Sequence, residues 1–332
     1  MTDPYTPSVL LALLLALVSP PSESREALEA RIREIARDAG GTVGVSILHL
    51  ESGRGASVGA NQHLPMASVF KLPVAFELLR RVDRGVVRLD QKIALSVGDL
   101  RPGHSRIAER APNAGITLSI GELLEAMVVE GDNTAADLLL PLAGGPEVVT
   151  AQLDAAGLGD IRVDRSEAEL AFDTFGAKPP PRAEWSPKTL DAAFAAVPEA
   201  ERRAAFERFL ADARDTATPA AVVLLLRDLQ EGRRLSPESR TRLLDLMAMT
   251  RTGPARIPAL LPKGTRVAHR TGAGGEVGGR SVCTNDVGIV TLPGDRGHLA
   301  IAVMIKGSDR SLAEREKAIA RIARAAYDHW SK

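Results

Sequence analysis

The chain has 332 residues, and its 42 basic and 42 acidic side chains give zero formal net charge. Aromatic residues make up only 3%. The charge balance and the scarcity of aromatic rings argue against a nucleic-acid-binding protein, which needs a positive field and stacking surfaces. A hydrophobic share of 45% and a charged share of 25% are typical of a globular protein and exclude a disordered chain.

Cysteine and histidine usage limits the metal chemistry. The single Cys283 excludes an intrachain disulfide and a cysteine-based zinc site. None of the six His residues has a metal-ligand spacing such as H-x-x-x-H. We therefore expect neither a metal nor a cofactor.

The N-terminal segment, residues 1–23, resembles a signal peptide. Val9–Val18 is an unbroken apolar run that is too short to span a bilayer and has the length of a signal-peptide core. No Lys or Arg precedes Arg25, and no clear cleavage site follows the run. The segment predicts export to the periplasm or the medium of a bacterium. A misassigned start codon or a packed N-terminal helix is the alternative.

Along the remaining chain, the pattern predicts a helix, two strands, a long helical region, three strands and a final helix. Their ranges are Ser24–Ala39, Thr42–Leu50, Gly55–Gly59, Leu64 to about Pro258, Arg266–Thr271, Asp286–Leu292, His298–Ile305 and a helix opened by the capping box Ser311–Glu314.

This order predicts an α+β fold for residues 24–332. The first and last strands must share one antiparallel sheet if their apolar faces are to be buried, with the terminal helices packed on it. The sheet part is then about residues 24–63 and 264–332, and the helical part, about 64–263, is an insertion. We expect the active site in the cleft at the junction of the two parts.

Four short motifs carry residues suited to chemistry. Ser68 and Lys71 are three residues apart, so they share a helix face and can touch. Gly131–Asn133 interrupts two helical runs, and Arg270–Gly272 offers a cation and a hydroxyl for a carboxylate. Arg162–Leu170 is rich in charge. Taken alone, these motifs also fit a helix cap, a turn, a hairpin and a charged surface loop.

Together the four motifs resemble those of the class A β-lactamases, within the wider penicillin-recognising serine acyl-transferases. The resemblance covers about residues 25–332. Its supporting stretches are Pro65–Lys71, Gly131–Leu140, Arg214–Pro219 and Thr284–Asp286.

The resemblance implies catalytic roles for three residues. Ser68 would be the nucleophile that opens a β-lactam ring and becomes acylated. Lys71 would take or relay its proton, although the identity of the acylation base, Lys71 or Glu167, is disputed for the family. Glu167 would activate the water that hydrolyses the acyl-enzyme.

The resemblance also implies substrate-binding roles. Asn133 would hold Lys71 and the side-chain amide of the substrate. Arg270 and Thr271 would bind the substrate carboxylate. The backbone N–H groups of Ser68 and Ala273 would form the oxyanion hole. The expected partner is a small acyl compound, and we expect the protein to be a monomer.

Three positions depart from the family pattern. Gly131 replaces a Ser whose hydroxyl donates a proton to the departing nitrogen, and a water could fill the space that it leaves. Ala171 replaces an Asn that helps to hold the hydrolytic water. Arg270 replaces a Lys, which we interpret as a mild change because the charge is kept.

The loop that carries Glu167 is greatly enlarged. In the family an Arg and an Asp close this loop, and Arg165 and Asp215 match them here. The insertion, about residues 171–213, has helix signals at Ser186–Pro187 and at Pro198. It could be a lid over the site or a surface-packed helical hairpin. The segment after Gly272 is also longer than in the family, and Arg280 within it could be a second carboxylate anchor or a solvated hairpin side chain.

These departures leave several functions open. The first is a β-lactamase with weak turnover. The others are a hydrolase of another ester or amide, and a β-lactam-binding protein that deacylates slowly. A peptidoglycan transpeptidase or carboxypeptidase ranks last, because Glu167 is retained.

Overall fold

A computed structural model describes residues 24–332, which form twelve α-helices and eleven β-strands. The helices are α1 Arg25–Ala39, α2 Lys71–Asp83, α3 Arg106–Arg110, α4 Ile120–Glu125, α5 Asn133–Leu142, α6 Gly145–Asp154, α7 Glu167–Phe175, α8 Pro187–Ala195, α9 Glu199–Ala211, α10 Pro219–Gln230, α11 Pro237–Ala248 and α12 Leu312–Trp330. The strands are β1 Thr42–His49, β2 Gly55–Val58, β3 Leu64–Pro65, β4 Lys92–Leu95, β5 Ile116–Ser119, β6 Thr216–Ala217, β7 Val267–Ala273, β8 Glu276–Val277, β9 Arg280–Ser281, β10 Cys283–Thr291 and β11 His298–Lys306.

The described part of the chain begins after the signal-like segment. Residues 1–23, which carry the signal-like segment, lie outside the described residues. Within 24–332, the helices are each too short or too polar to cross a membrane.

Strands from both ends of this region form one five-stranded antiparallel sheet, in the order β2-β1-β11-β10-β7. Val45 of β1 lies opposite Val303 of β11, and Asp286 of β10 lies opposite Thr271 of β7. The predicted α+β fold with a shared antiparallel sheet is therefore confirmed.

Side-chain alternation gives the sheet two apolar faces. On one face, Ile301 and Val303 pack with Ile32 of α1 and Ile319 of α12 in one buried cluster. On the other face, Ala300, Ala302 and Met304 join the core of the helical part. The edge strand β7 reaches the boundary between the sheet and the helical part, where the site lies.

Helix α2 runs through the helical part as its central element. Residues 71–79 are all buried, which is the pattern of a helix surrounded by other helices. A short 3₁₀ helix, Ala67–Phe70, leads directly into it and carries Ser68. The central position of α2 thus fixes Ser68 and Lys71 at the inner end of the cleft.

The edge strand β7 lies very close to this 3₁₀ helix. A Cβ atom on Gly272 would lie 2.3 Å from the carbonyl oxygen of Met66, so only glycine permits the approach. As a consequence, Arg270, Thr271 and Ala273 lie beside the turn that carries Ser68.

The sequence missed several short strands. The region Leu64 to about Pro258 was expected to be almost entirely helical, but it contains the two-stranded ribbons β3–β6 and β4–β5. These strands have two to four residues each, which is too short for a clear period-two pattern.

The inserted segment folds as two helices, as the capping signals predict. Ser186 caps α8 in a capping box, and Pro198 precedes α9. The expected closing pair is also present, since Arg165 Nε donates to Asp215 Oδ2 at 2.6 Å.

The insertion packs onto the body of the protein. Arg280 donates to Glu207 of α9 at 2.6 Å, and its guanidinium lies over the ring of Phe206. Arg280 therefore joins the β8–β9 hairpin to the insertion, and its side chain is 42% exposed, as expected for a solvated hairpin arginine.

Candidate active site

The site is built around the contact between Ser68 and Lys71. Lys71 Nζ donates to Ser68 Oγ at 2.9 Å, as expected for residues three apart at the start of a helix. The same ammonium donates to Gly131 O at 2.9 Å and to Asn133 Oδ1 at 2.7 Å. Lys71 thus connects two of the predicted motifs, its own and Gly131–Asn133, through one buried nitrogen.

The environment of Lys71 perturbs its acidity. The side chain is fully buried, and this desolvation lowers the pKa of Lys71 from its ordinary value. The Glu167 carboxylate opposes the effect and raises the pKa, because Glu167 Oε2 lies 3.3 Å from Nζ. A lysine with a lowered pKa holds a larger neutral fraction near pH 7 and is a better base.

Glu167 is the first residue of α7. Ser166 caps this helix, and its hydroxyl accepts from Glu169 N. The Glu167 side chain is 21% exposed, and its buried Oε2 accepts no hydrogen bond from the described residues apart from the ion pair with Lys71. One carboxylate oxygen therefore has free acceptor capacity at the Lys71 end of the cleft.

Asn133 opens helix α5, and its neighbour Asp132 has a structural task. The buried Asp132 carboxylate accepts from Ala135 N, Ile107 N and Ser105 Oγ. Asp132 therefore caps α5 and anchors the facing loop. Asn133 Oδ1 is thereby held against Lys71.

Arg270 projects from β7 toward Ser68. Its Nε donates to Ser68 O at 3.2 Å, and its side chain is 1% exposed. Nη1 is buried and has no hydrogen-bond partner among the described residues. Burial lowers the pKa of Arg270 to about 10, so it is a cation at neutral pH with an unused donor facing the site.

The guanidinium of Arg270 lies beside Gly131. A Cβ atom on Gly131 would lie 3.0 Å from Nη2 and 3.3 Å from Nη1 of Arg270. The space next to Gly131 is therefore bordered by guanidinium N–H groups. The Arg at residue 270 and the absent side chain at residue 131 are thus neighbours in the site.

Thr271 and Ala273 follow in the same strand. The Thr271 hydroxyl lies 2.6 Å from Thr252 Oγ1, and Ala273 is the exposed last residue of β7. The structure brings Ser68, Lys71, Glu167, Asn133 and Arg270 into direct contact, while Thr271 and Ala273 line the adjoining strand. Thr252 has no sequence signal and was missed.

Ala171 lies on an apolar wall next to Glu167. It borders a cavity of about 30 Å³ together with Leu190 and Phe194 of the insertion, and Glu167, Asn133 and Arg101 supply the polar groups. This volume suits about one water molecule. The insertion therefore contributes part of the site wall rather than lying apart from it.

His104 lies at the rim of the site. Its Nε2 is hydrogen-bonded to Glu130 O, and its Cδ2 would lie 3.5 Å from a Cβ on Gly131. The residue is exposed, and its ring lies beside the Gly131 turn.

The charges in the site favour an anionic ligand. Two cations, Lys71 and Arg270, face one carboxylate, Glu167. The chain has zero formal net charge, so this positive field is local to the site.

Among residues 24–332, groups of three or more His, Cys, Asp or Glu placed to hold a metal ion are absent.

Comparison with known proteins gives consistent matches over nearly the whole chain. Residues 27–330 match the β-lactamase enzyme family. The chain is 30% identical to β-lactamase VEB-1 of Pseudomonas aeruginosa over 326 residues, which is 97% of this chain and 96% of that protein.

Solved structures agree with these sequence matches. A β-lactamase from Chitinophaga pinensis has a TM-score of 0.76 and 33% identity, covering 91% of this chain and 98% of its own. An ancestral class A β-lactamase has a TM-score of 0.72 and 33% identity, with 91% and 99% coverage.

Proposed function

The chain belongs to the class A β-lactamase family, and we propose that it opens β-lactam rings through an acyl-enzyme on Ser68. The observation that carries this proposal is the buried Lys71 ammonium, which contacts Ser68 Oγ, Asn133 Oδ1 and the Glu167 carboxylate. A hydroxyl needs such an adjacent base to become a nucleophile.

Acylation starts at Ser68. Neutral Lys71 accepts the hydroxyl proton, either directly or after Glu167 has taken a proton from it, and Ser68 Oγ attacks the lactam carbonyl. The N–H groups of Ser68 and Ala273 stabilise the oxyanion. The C–N bond then breaks, and the lactam nitrogen takes up a proton as it leaves.

Substrate binding uses the local positive charge. The unused Nη1 of Arg270 and the Thr271 hydroxyl bind the carboxylate of the substrate, and Asn133 binds its side-chain amide. A buried guanidinium gives a charge-assisted hydrogen bond, which is shorter and stronger than a neutral one. This arrangement favours small acyl compounds with a carboxylate.

Deacylation uses Glu167, whose carboxylate takes a proton from a water that attacks the ester. We propose that this step is slow, because Ala171 offers no polar group to the water and the cavity beside it is walled by Leu190 and Phe194. A water held by fewer polar partners is less well oriented for attack.

The same apolar wall favours a second function, a β-lactam-binding protein that deacylates slowly. Hydrolysis of another ester is the third. A departing alkoxide needs less protonation than a departing amine, so the missing hydroxyl at residue 131 slows ester hydrolysis less. The apolar run Val9–Val18 and the family together support export, which would place the enzyme where it protects a bacterium from β-lactam antibiotics.

One experiment tests the proposal. The purified protein is incubated with a chromogenic cephalosporin, while turnover and intact mass are followed together. Many turnovers that disappear in Ser68→Ala support the β-lactamase. A single burst with a stable adduct supports the binding protein. If the protein shows no turnover and forms no adduct, both functions are excluded.

A further inference from the structure

We propose that the inserted segment sets the position of Glu167, through Trp185 and Arg101, and thereby controls the deacylation step. This inference rests on the proposed function. The segment is then neither a lid nor a decoration but a positioning device for the carboxylate. The contacts that support it run in one unbroken chain from the insertion to the start of α7.

The first contact holds the backbone of Glu167. Glu167 N donates to Asp137 Oδ1 at 2.7 Å, and Ala168 N donates to Asp137 Oδ2 at 3.4 Å. These are two of the first N–H groups of α7, which have no partner within the helix. Asp137, on α5, therefore fixes the position and the direction of the first turn of the helix that carries the Glu167 carboxylate.

The second contact holds Asp137. Arg101 Nε donates to Asp137 Oδ2 at 2.5 Å, and both side chains are almost fully buried, at 7% and 4% exposed. Arg101 Nη1 also donates to Gly98 O at 3.1 Å. The planar guanidinium is thus fixed by acceptors on two sides, and a shift of Arg101 would be passed to Asp137.

The third contact comes from the insertion. The indole ring of Trp185 packs against two guanidinium groups, with its centre 4.9 Å from Arg101 Cζ and 4.1 Å from Arg182 Cζ. Arg182 donates to Gly98 O at 3.2 Å, the same carbonyl that Arg101 uses. Trp185 therefore holds the Arg101 guanidinium beside its ion pair with Asp137.

A second route from the insertion reaches the middle of α7. The rings of Trp185 and Phe194 lie 5.7 Å and 5.2 Å from the ring of Phe172. Phe172 is five residues after Glu167 on the same helix. The insertion consequently holds α7 at two points, one at its first turn and one beyond it.

Such a device acts on one chemical step. Ser68 lies on the 3₁₀ helix and Lys71 on α2, which these contacts do not touch, so acylation with Lys71 as the base should be preserved. Deacylation depends on the Glu167 carboxylate, and a displacement of about 1 Å can cost about 10²-fold in rate. A segment that is only surface decoration would change neither step.

The test compares Trp185→Ala with Trp185→Phe, which keeps an aromatic ring against Arg101 and Arg182. Trp330→Ala is the matched control, because Trp330 is the other tryptophan of the chain and stacks on His49 at the end of α12. For each protein, rapid quenching and intact mass give the acylation and deacylation rates with a cephalosporin. Hydrogen exchange of the peptide that contains Glu167 and Ala168 is measured without substrate.

We expect Trp185→Ala to slow deacylation at least about tenfold, to leave acylation within about twofold, and to speed exchange at the start of α7. Trp185→Phe should restore most of both readouts, and Trp330→Ala should change neither. The inference is overturned if Trp185→Ala leaves either the exchange at the start of α7 or the deacylation rate unchanged. If the unmodified protein forms no acyl-enzyme, the proposed function fails, while the exchange data still decide whether the insertion holds α7.

Discussion

The guanidinium of Arg270 packs against the face of Gly131 from which a side chain would project. A Cβ there would lie 3.0 Å from Nη2, and Gly131 has a φ of +77°, which favours glycine. Two departures from the family pattern therefore form one unit. The guanidinium of Arg270 lies next to the position from which a side chain at residue 131 would project.

This relationship predicts a result for the simplest repair of the site. Gly131→Ser alone should lose stability by about 1–2 kcal/mol from the left-handed backbone and should gain no rate, because the guanidinium crowds the new side chain. Combined with Arg270→Lys, the same substitution should raise the acylation rate. Gly131→Ala with Arg270→Lys is the control, because it has the same backbone strain and no hydroxyl.

The measurement is the acylation rate of the three variants and the unmodified protein with a cephalosporin. The hydroxyl should be worth at least about tenfold when Ser and Ala are compared in the presence of Arg270→Lys, since a positioned general acid contributes about 10²–10⁴-fold. Equal rates for these two double variants would contradict a role for the missing hydroxyl. A rate gain in Gly131→Ser alone would contradict the crowding by Arg270.

A second prediction concerns Glu167 and the acylation base. Glu167→Gln should accumulate the acyl-enzyme, because the water loses its base. The carboxylate raises the pKa of Lys71, so its removal should lower that pKa further. If Lys71 is the base, neutral Lys71 is then available at lower pH, and the acid limb of the acylation profile should move to lower pH.

Quenched intact mass across a pH series measures this shift. The control is Glu169→Gln, which removes the same charge two residues later and keeps the capping-box residue type. Loss of acylation at every pH in Glu167→Gln would instead assign the base role to Glu167. An unshifted limb would argue against electrostatic coupling between the two residues.

Much of this site follows from local patterns. The spacing of Ser68 and Lys71 predicts their contact, and the capping signals at Ser186 and Ser311 correctly mark the starts of α8 and α12. These features depend on residues within one helical turn. The pattern of strands at both ends of the chain likewise predicts their shared sheet.

Other features depend on residues that are far apart in the sequence. Trp185 covers Arg101 from 84 positions away, and Arg270 meets Gly131 across 139 positions. No periodicity or cap records such a meeting, because it depends on how whole elements pack. For the same reason the sequence did not identify Thr252 as a site residue. Only the folded structure places its hydroxyl beside that of Thr271.

A third prediction concerns the water site beside Ala171. Ala171→Asn should raise the deacylation rate several-fold, because an amide would give the water an additional partner in the cavity next to Glu167. Ala171→Leu is the control, because it adds a similar volume without a polar atom and should slow deacylation. Single-turnover decay of the acyl-enzyme measures both. A similar rate for the two variants would show that volume, and not polarity, limits this step.

The last prediction concerns the closure of the enlarged loop by Arg165. Its guanidinium donates to Asp215 at 2.6 Å and to Asp173 at 2.6 Å, but the two carboxylates differ in burial, since their side chains are 2% and 46% exposed.

Arg165→Ala should lower the free energy of unfolding by about 3–5 kcal/mol, because it leaves the Asp215 carboxylate buried and unpaired. Asp173→Ala removes an exposed partner of the same arginine and should cost less than about 1 kcal/mol. Denaturant unfolding of both variants measures the difference. Equal losses would mean that the exposed carboxylate contributes as much as the buried one, and the closure would then rest on the whole charge cluster rather than on the single pair of Arg165 with Asp215.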